Sequence, residues 1–280
     1  MEIQPAPERI FQLEEVVAAD ELERRAMDRR MHAFGSGLGS LLQRPRPEDV
    51  VFLTRQRRLE PFWHVSCRAL YVYERDRDYD IAASAPEVRR VSITGTTYEV
   101  HESRQPASFT LSAREHCRDE FEHQIFADGT SGAPVPDGVA VIGGRRSEVT
   151  EPASLAAADT VVVPVEHRAS FVVRKLLGEM MKPLQADLVI EESLTLQRTD
   201  LYYRPYWSFE FLWRSRDKTG VVEIDALTGQ ARQGQALLPQ LKGMMSRDVL
   251  FDIGADTAGL IVPGGSIAVK VAKAAMDRNR

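Results

Sequence analysis

Apolar residues return at every second position along several stretches of this chain. Trp63, Val65, Cys67, Ala69 and Tyr71 share one parity, with His64, Ser66 and Arg68 between them. A strand over 62–74 would therefore bury the first set on one face and turn the second to the other. Trp207, Phe209, Phe211 and Trp213 repeat the pattern within 201–214. The same signal predicts strands at 50–54, 109–113, 139–142, 160–165, 187–196 and 221–225, and a hairpin of 88–93 with 96–100 around Gly95. Elsewhere a three- and four-residue spacing takes over. Ile10, Leu13, Val17, Met27, Met31 and Phe34 predict a helix over 8–34. Ala169, Val172, Val173, Leu176, Leu177 and Met180 predict a second, ended by Pro183. Two C-terminal helices are expected near 236–251 and 266–277, the latter capped by Ser266.

A short motif occurs twice, Pro61-Phe62-Trp63 and Pro205-Tyr206-Trp207. Around it a helix, a proline, an aspartate and a strand recur over 8–74 and 168–214. The copies differ by six residues between aspartate and proline, Asp49 to Pro61 against Asp187 to Pro205. A helix beside an antiparallel sheet buries the sheet's apolar face by lying across it. The expected fold class is therefore α+β, with two duplicated helix-plus-antiparallel-sheet modules that could share one sheet, followed by C-terminal helices. The expected division is a first module at 1–135, a Gly/Pro/Ala-rich linker with a short strand at 136–158, and a second module at 159–280.

The chain has 280 residues, enough for two domains or one large one, and a core of that size needs no metal or disulfide to fold. Lys and Arg number 36 and Asp and Glu 41, a formal charge of −5, the wrong sign for a whole-protein nucleic-acid binder. No apolar stretch approaches the ~20 residues of a membrane-spanning helix. Two cysteines, Cys67 and Cys117, do not make a disulfide scaffold and fit a reducing compartment. The start Met-Glu-Ile-Gln-Pro lacks the basic and apolar segments of a signal peptide, which gives the cytoplasm as the expected location. Residues 257–269 carry no charge but are interrupted by glycines and Pro263; burial in the fold is the first expectation for them, docking to a partner the second and membrane-surface contact the third.

Residues 220–230, Gly-Val-Val-Glu-Ile-Asp-Ala-Leu-Thr-Gly-Gln, resemble the closing strand and turn of PepSY-type modules, and Phe126-Ala127-Asp128-Gly129-Thr130-Ser131-Gly132 is a looser parallel. PepSY-type modules are small helix-plus-antiparallel-sheet domains associated with binding and with peptidase propeptides. The resemblance covers about a dozen residues and implies a non-catalytic binding module.

The candidate chemistry centres on His116-Cys117-Arg118-Asp119-Glu120-Phe121-Glu122-His123. In a helix, His116, Glu120 and His123 would line one face, a donor set suited to zinc, iron or manganese. In a strand, His116 and Glu120 stay together and His123 turns away. The alternation of Phe109 through Ala113 runs into this stretch and supports the strand. His64 and Cys67 with His116 and Cys117 would make a four-residue zinc set, but strand alternation sends the thiols to one face and the imidazoles to the other; the plain reading is buried thiols and surface histidines. Gly35-Ser36-Gly37-Leu38-Gly39 follows a predicted helix and lacks the Lys-Ser/Thr of a phosphate loop. There is no Gly-x-Ser-x-Gly elbow, and Glu191 and Glu192 face opposite ways on a strand, poor geometry for shared acid–base work. Trp63, Tyr206 and Trp207 mark either a packed core or an aromatic surface that grips a ligand. The expected function is a non-catalytic binding or scaffold protein, acting on a protein partner or a second copy of itself, with no catalytic residue and no cofactor. The rival is a metal-dependent hydrolase that places zinc or another divalent metal on His64, His116, Glu120 and His123.

Overall fold

The computed structural model describes residues 2–4, 6–34, 45–101, 103–104, 106–157, 159–181, 183–234, 247–251 and 270–271. In chain order the elements are β1 (Glu2–Gln4), β2 (Glu8–Leu13), α1 (Ala19–Asp28), β3 (Val50–Ala82), β4 (Arg90–Ile93), β5 (Thr96–Glu99), β6 (Ser108–Asp128), α2 (Gly138–Ile142), β7 (Arg146–Val149), β8 (Thr160–Val162), α3 (Ala169–Met180), β9 (Leu188–Trp213), β10 (Lys218–Asp225), β11 (Ala231–Gln233), α4 (Arg247–Leu250) and β12 (Lys270–Val271). Among these residues no helix is long and apolar enough to cross a membrane.

The alternating stretches grow into strands far longer than their apolar cores. β3 has 33 residues and β9 has 26, and they pair antiparallel from Val50 opposite Trp213 to Glu74 opposite Leu188. The outer edge of β3 takes β8 in parallel at Arg57–Leu59 and β6 antiparallel from Phe62 to Ala82. The outer edge of β9 takes β1 and β2 in parallel and β10 antiparallel. β12, β7 and β11 add to β1, β2 and β10, completing a mixed sheet of ten strands. β4 and β5 form a separate hairpin, and its two-residue turn puts both Thr94 and Gly95 at positive φ, as the twist of a tight hairpin requires.

Three register shifts, at Phe52/Thr54, Ser66/Cys67 and Val72/Tyr73, bend the central pair. The shift at Ser66/Cys67 leaves Gln197 unopposed and switches parity along β9, so that Leu194 and Leu196 on one side and Leu201 and Tyr203 on the other reach the same face. That face carries both longer helices. The stripe of α3 packs on Trp63, Val65, Cys67, Ala69 and Tyr71. Leu22 and Ala26 of α1 pack on Phe209, Phe211, Trp213, Val222 and Ile224. On the opposite face Tyr202 stacks between Phe11 and Phe62 at 5.1 and 5.3 Å, under Val141 of α2.

The expected pair of α+β modules is overturned: the chain is mostly β, one large mixed sheet with only two helices of ten or more residues among those described. Two misreadings account for most of the difference. Ile10 and Leu13 belong to β2, and the helix begins only at Ala19; a three-residue spacing in six residues also fits a strand in which Ile10, Phe11 and Leu13 are all buried. The strand expected to end at residue 74 runs on through the charged residues 75–78. β3 continues through them because their charges meet partners on β6: Arg75 pairs with Glu115 at 2.5 Å, Asp76 with Arg114 at 2.9 Å, and Asp78 accepts from Ser112. Residues 139–142, expected as a strand, lie within α2. The helices expected near 236–251 and 266–277 and the glycine run at 35–39 fall largely outside the described residues, of which Arg247–Leu250 is helical.

The repeated motif describes two halves of one sheet. Glu60 lies opposite Arg204, Pro61 opposite Tyr203 and Leu59 opposite Pro205. Parallel β8 meets β3 beside the first motif as parallel β2 meets β9 beside the second. A proline inside a sheet must face an edge where no N–H is needed. The Pro61 and Pro205 carbonyls accept the N–H groups of Gly129 and Ala226, at the points where β6 and β10 end.

The two tryptophans differ in depth. Trp63 is fully buried, donates its indole N–H to the His167 carbonyl at 2.7 Å and meets Phe251 edge-on, whereas Trp207 is only half-buried. Trp63→Ala should cost about 3–5 kcal/mol in urea unfolding, and Trp207→Ala should cost clearly less. Equal losses would contradict this packing.

Candidate functional site

The face opposite α1 and α3 turns polar at the centre of the sheet. The residues that precede the two prolines, Glu60 and Arg204, stand opposite one another there. On neighbouring strands Arg58 faces Tyr206, Tyr206 faces Asp225, and Glu223 faces both Ser208 and Arg232. Arg58, Arg204, Glu223 and Asp225 are all buried. Charges taken out of water persist when they are paired and hydrogen-bonded, and each of these is. Arg58 bonds Glu223 and lies 3.4 Å from Glu60. Arg232 bonds Glu223 through Nε at 2.8 Å and reaches Glu60 through Nη2. Arg204 forks onto Asp137 at 3.0 and 2.7 Å and also bonds Asp225.

The turn after β10 locks Asp225. Its carboxylate accepts the Leu227 N–H at 2.9 Å and the Thr228 hydroxyl at 2.7 Å, while Gly229, at positive φ, donates its N–H to the Asp225 carbonyl. Residues 220–230 thus form most of β10 and this turn. Asp128 holds the opposite wall in the same manner, accepting from the Thr130 and Ser131 backbone. Between these walls lies an open cleft of about 500 Å3. Pro61, Phe62, Pro134 and Pro136 give it apolar sides, and Asp137, Arg204, Tyr206 and Arg232 give it a charged floor. Gly138, where α2 begins, seats the loop: a Cβ there would come within 2.4 Å of the Phe126 ring. The Tyr206 ring lies 4.2 Å from the Arg232 guanidinium and 5.6 Å from that of Arg204.

Burial alone would lower the pKa of Arg204 and Arg232, but their carboxylate partners outweigh it and the net shift is upward. The Arg204 hydrogen bonds hold the Asp137 carboxyl below its ordinary value, and burial pushes the Tyr206 phenol up.

The metal candidates are spread along the sheet. The stretch 114–125 is strand, within β6. His64 is buried, stacked on Phe126 at 4.4 Å with Nε2 3.0 Å from Gln124, and burial lowers its pKa. His116 Nδ1 lies 3.0 Å from Glu74, and Glu120 bonds Arg68 and Arg118. His123 turns to the α3 face, 2.9 Å from Glu179. Among the described residues no three His, Cys, Asp or Glu side chains converge as a metal-holding group. Cys67 is buried, its thiol pushed up to about 12 by desolvation. Of the aromatic candidates, Tyr206 lines the cleft, Trp63 is core, and Trp207 lies on the α1 face, donating to Glu15 at 3.1 Å. Sequence reading missed Arg204, Asp137, Asp225 and Arg232. A signal was present: opposite charges, Glu60 and Arg204, stand directly before the two prolines.

No family model matches this chain, and neither the curated proteins nor the solved structures provide a match.

Replacing Arg204 by Met should destabilise the fold by about 3–5 kcal/mol, because Asp225 stays buried without its cation; urea unfolding of the pure protein measures this. Asp137→Asn should act only where the carboxylate is ionised. Its native pKa is depressed below the ordinary 3.8, so the wild-type advantage should be complete above about pH 4 and fade as pH falls through the native value. A stability difference that grows toward acid would contradict the assignment.

Proposed function

We propose that this chain is a non-catalytic binding protein and that the cleft beside Arg204 and Tyr206 receives a segment of a partner polypeptide. The observation that carries this reading is the cleft itself: a floor of charges already paired within the protein, between walls of proline and aromatic side chains. Such a site is organised before its ligand arrives, so little ordering entropy remains to oppose binding. Its apolar rim and guanidinium-covered tyrosine suit the mixed surface of a peptide. Proton-transfer catalysis near neutral pH works best with a group that titrates there. The displaced groups of this cleft move the other way, Asp137 downward and Tyr206, Arg204 and Arg232 upward.

A random-peptide display selection on the folded protein tests the proposal. Peptides enriched on the wild type should bind at least tenfold more weakly to Arg232→Ala, a change at a half-exposed position whose native fold circular dichroism would verify. A selection that yields binders indifferent to Arg232→Ala, or none, contradicts it.

A further inference from the structure

β6 is bonded to β3 along its entire length without a register shift, from Asp128 opposite Phe62 to Ser108 opposite Ala82. Its other edge meets described residues only at its ends. His101 donates to the Ser108 carbonyl; Val135 donates to the Phe126 carbonyl, and Asp128 donates to Ala133. Those contacts fix the direction of the backbone. Ser108, Phe126 and Asp128 turn their peptide groups outward, so in an unbroken antiparallel strand every even-numbered residue between them does the same. From Thr110 to Gln124 this edge presents a row of outward N–H and C=O groups.

The side chains of the same residues share the face opposite α3 and are sorted by charge: Arg114, His116 and Arg118 come first, Glu120 and Glu122 after. Charges on an edge strand ordinarily discourage any strand from adding. Sorted charges discourage most and select one, because directly opposed residues of an antiparallel pair gain from opposite sign and lose from like sign. The present partners of these side chains lie on the strand itself or on its β3 side, at Asp76, Glu74, Arg68 and, beyond it, Gln197, leaving the neighbouring position along the outer edge for an added strand.

We propose that the outer edge of β6 takes an extended segment of a partner protein as an additional antiparallel strand. That segment carries basic residues at alternate positions, opposite Glu122 and Glu120, and then acidic residues opposite Arg118 and Arg114. A second β6 has this charge order, but its body does not fit. With Arg118 of one copy opposite Glu120 of the other, Ser112 of the second copy would lie beside Phe126, where Val135 already sits. A free segment has no such continuation. This edge is separate from the Arg204 cleft, and the proposal does not rest on the cleft's role.

The probe is the synthetic peptide Lys-Thr-Lys-Thr-Glu-Thr-Glu-Thr-Glu, compared with the same residues in reverse order. Fluorescence anisotropy on the full chain should show the first binding at least tenfold more tightly. It should slow hydrogen exchange at the outward amides of His116, Arg118 and Glu120 by tenfold or more, leaving those of Cys117 and Asp119 unchanged. The double change Glu120→Lys with Glu122→Lys should abolish the preference, and Arg232→Ala should leave it intact. Equal binding of the two peptides, or no slowing on β6, would overturn the proposal. Binding lost on Arg232→Ala would assign the peptide to the cleft instead. A wild-type dimer in sedimentation that Arg118→Glu dissociates would also overturn it, in favour of a second copy.

Discussion

The antiparallel contact of β3 with β9 is the constraint on which the other described strands of the large sheet depend. β6 and β8 lie on β3; β1, β2 and β10 lie on β9; β7, β11 and β12 are attached through these. Both longer helices cover one face of this pair, and the cleft opens on the other. The contact joins residues far apart in sequence, so its hydrogen bonds and the apolar surface under α3 must offset a large closure entropy before any outer strand adds stability. The bulges keep a pair this long usable. By switching parity they keep the apolar positions of both strands beneath the same helices while the sheet twists.

At the centre of that pair the sheet holds charge rather than hydrocarbon. A buried ion network contributes little net stability compared with apolar packing of the same shape, yet removal of one member is costly. Its value here is positional. Glu60 and Arg204 face each other only in the native register, and Arg58, Glu223 and Arg232 join them only when β10 and β11 are also in place. A slip by one residue would send these charges to the side of Trp63 and Phe209. The network therefore penalises wrong registers in a region where alternation of apolar residues alone would tolerate several.

Much of the strand content was legible because alternation is a direct consequence of pleating. The faces of 62–74 and 207–213, the Gly95 hairpin and the stripe of α3 all follow from it. The reading failed where a residue's environment lies across the sheet. Arg75 and Asp76, just past the expected end of the strand at 74, find their place in β3 only when Glu115 and Arg114 are set opposite them. Ile10 and Leu13 look helical until β9 and β7 are placed on either side of β2. The cleft was hidden for the same reason: Asp137, Arg204 and Asp225 come from three separate segments, and single charges in strands read as surface. The strand alternative for 114–125 was legible, and with it the separation of His116 and Glu120 from His123.

The order of the strands along the chain also governs how the protein can be made. β3 and β6 emerge from the ribosome together and can pair, but β9, which covers the other edge of β3, follows much later. At elongation rates of about 5–20 residues per second, the interval between the end of β6 and the end of β9 is on the order of ten seconds. Until β9 is complete the nascent chain carries Trp63, Val65 and Tyr71 without that strand beside them, and β2 has only β7 to pair with. Biosynthesis of this fold therefore includes a stage in which its longest strand has one finished edge and one open edge, a substrate for chaperones that bind exposed apolar strands.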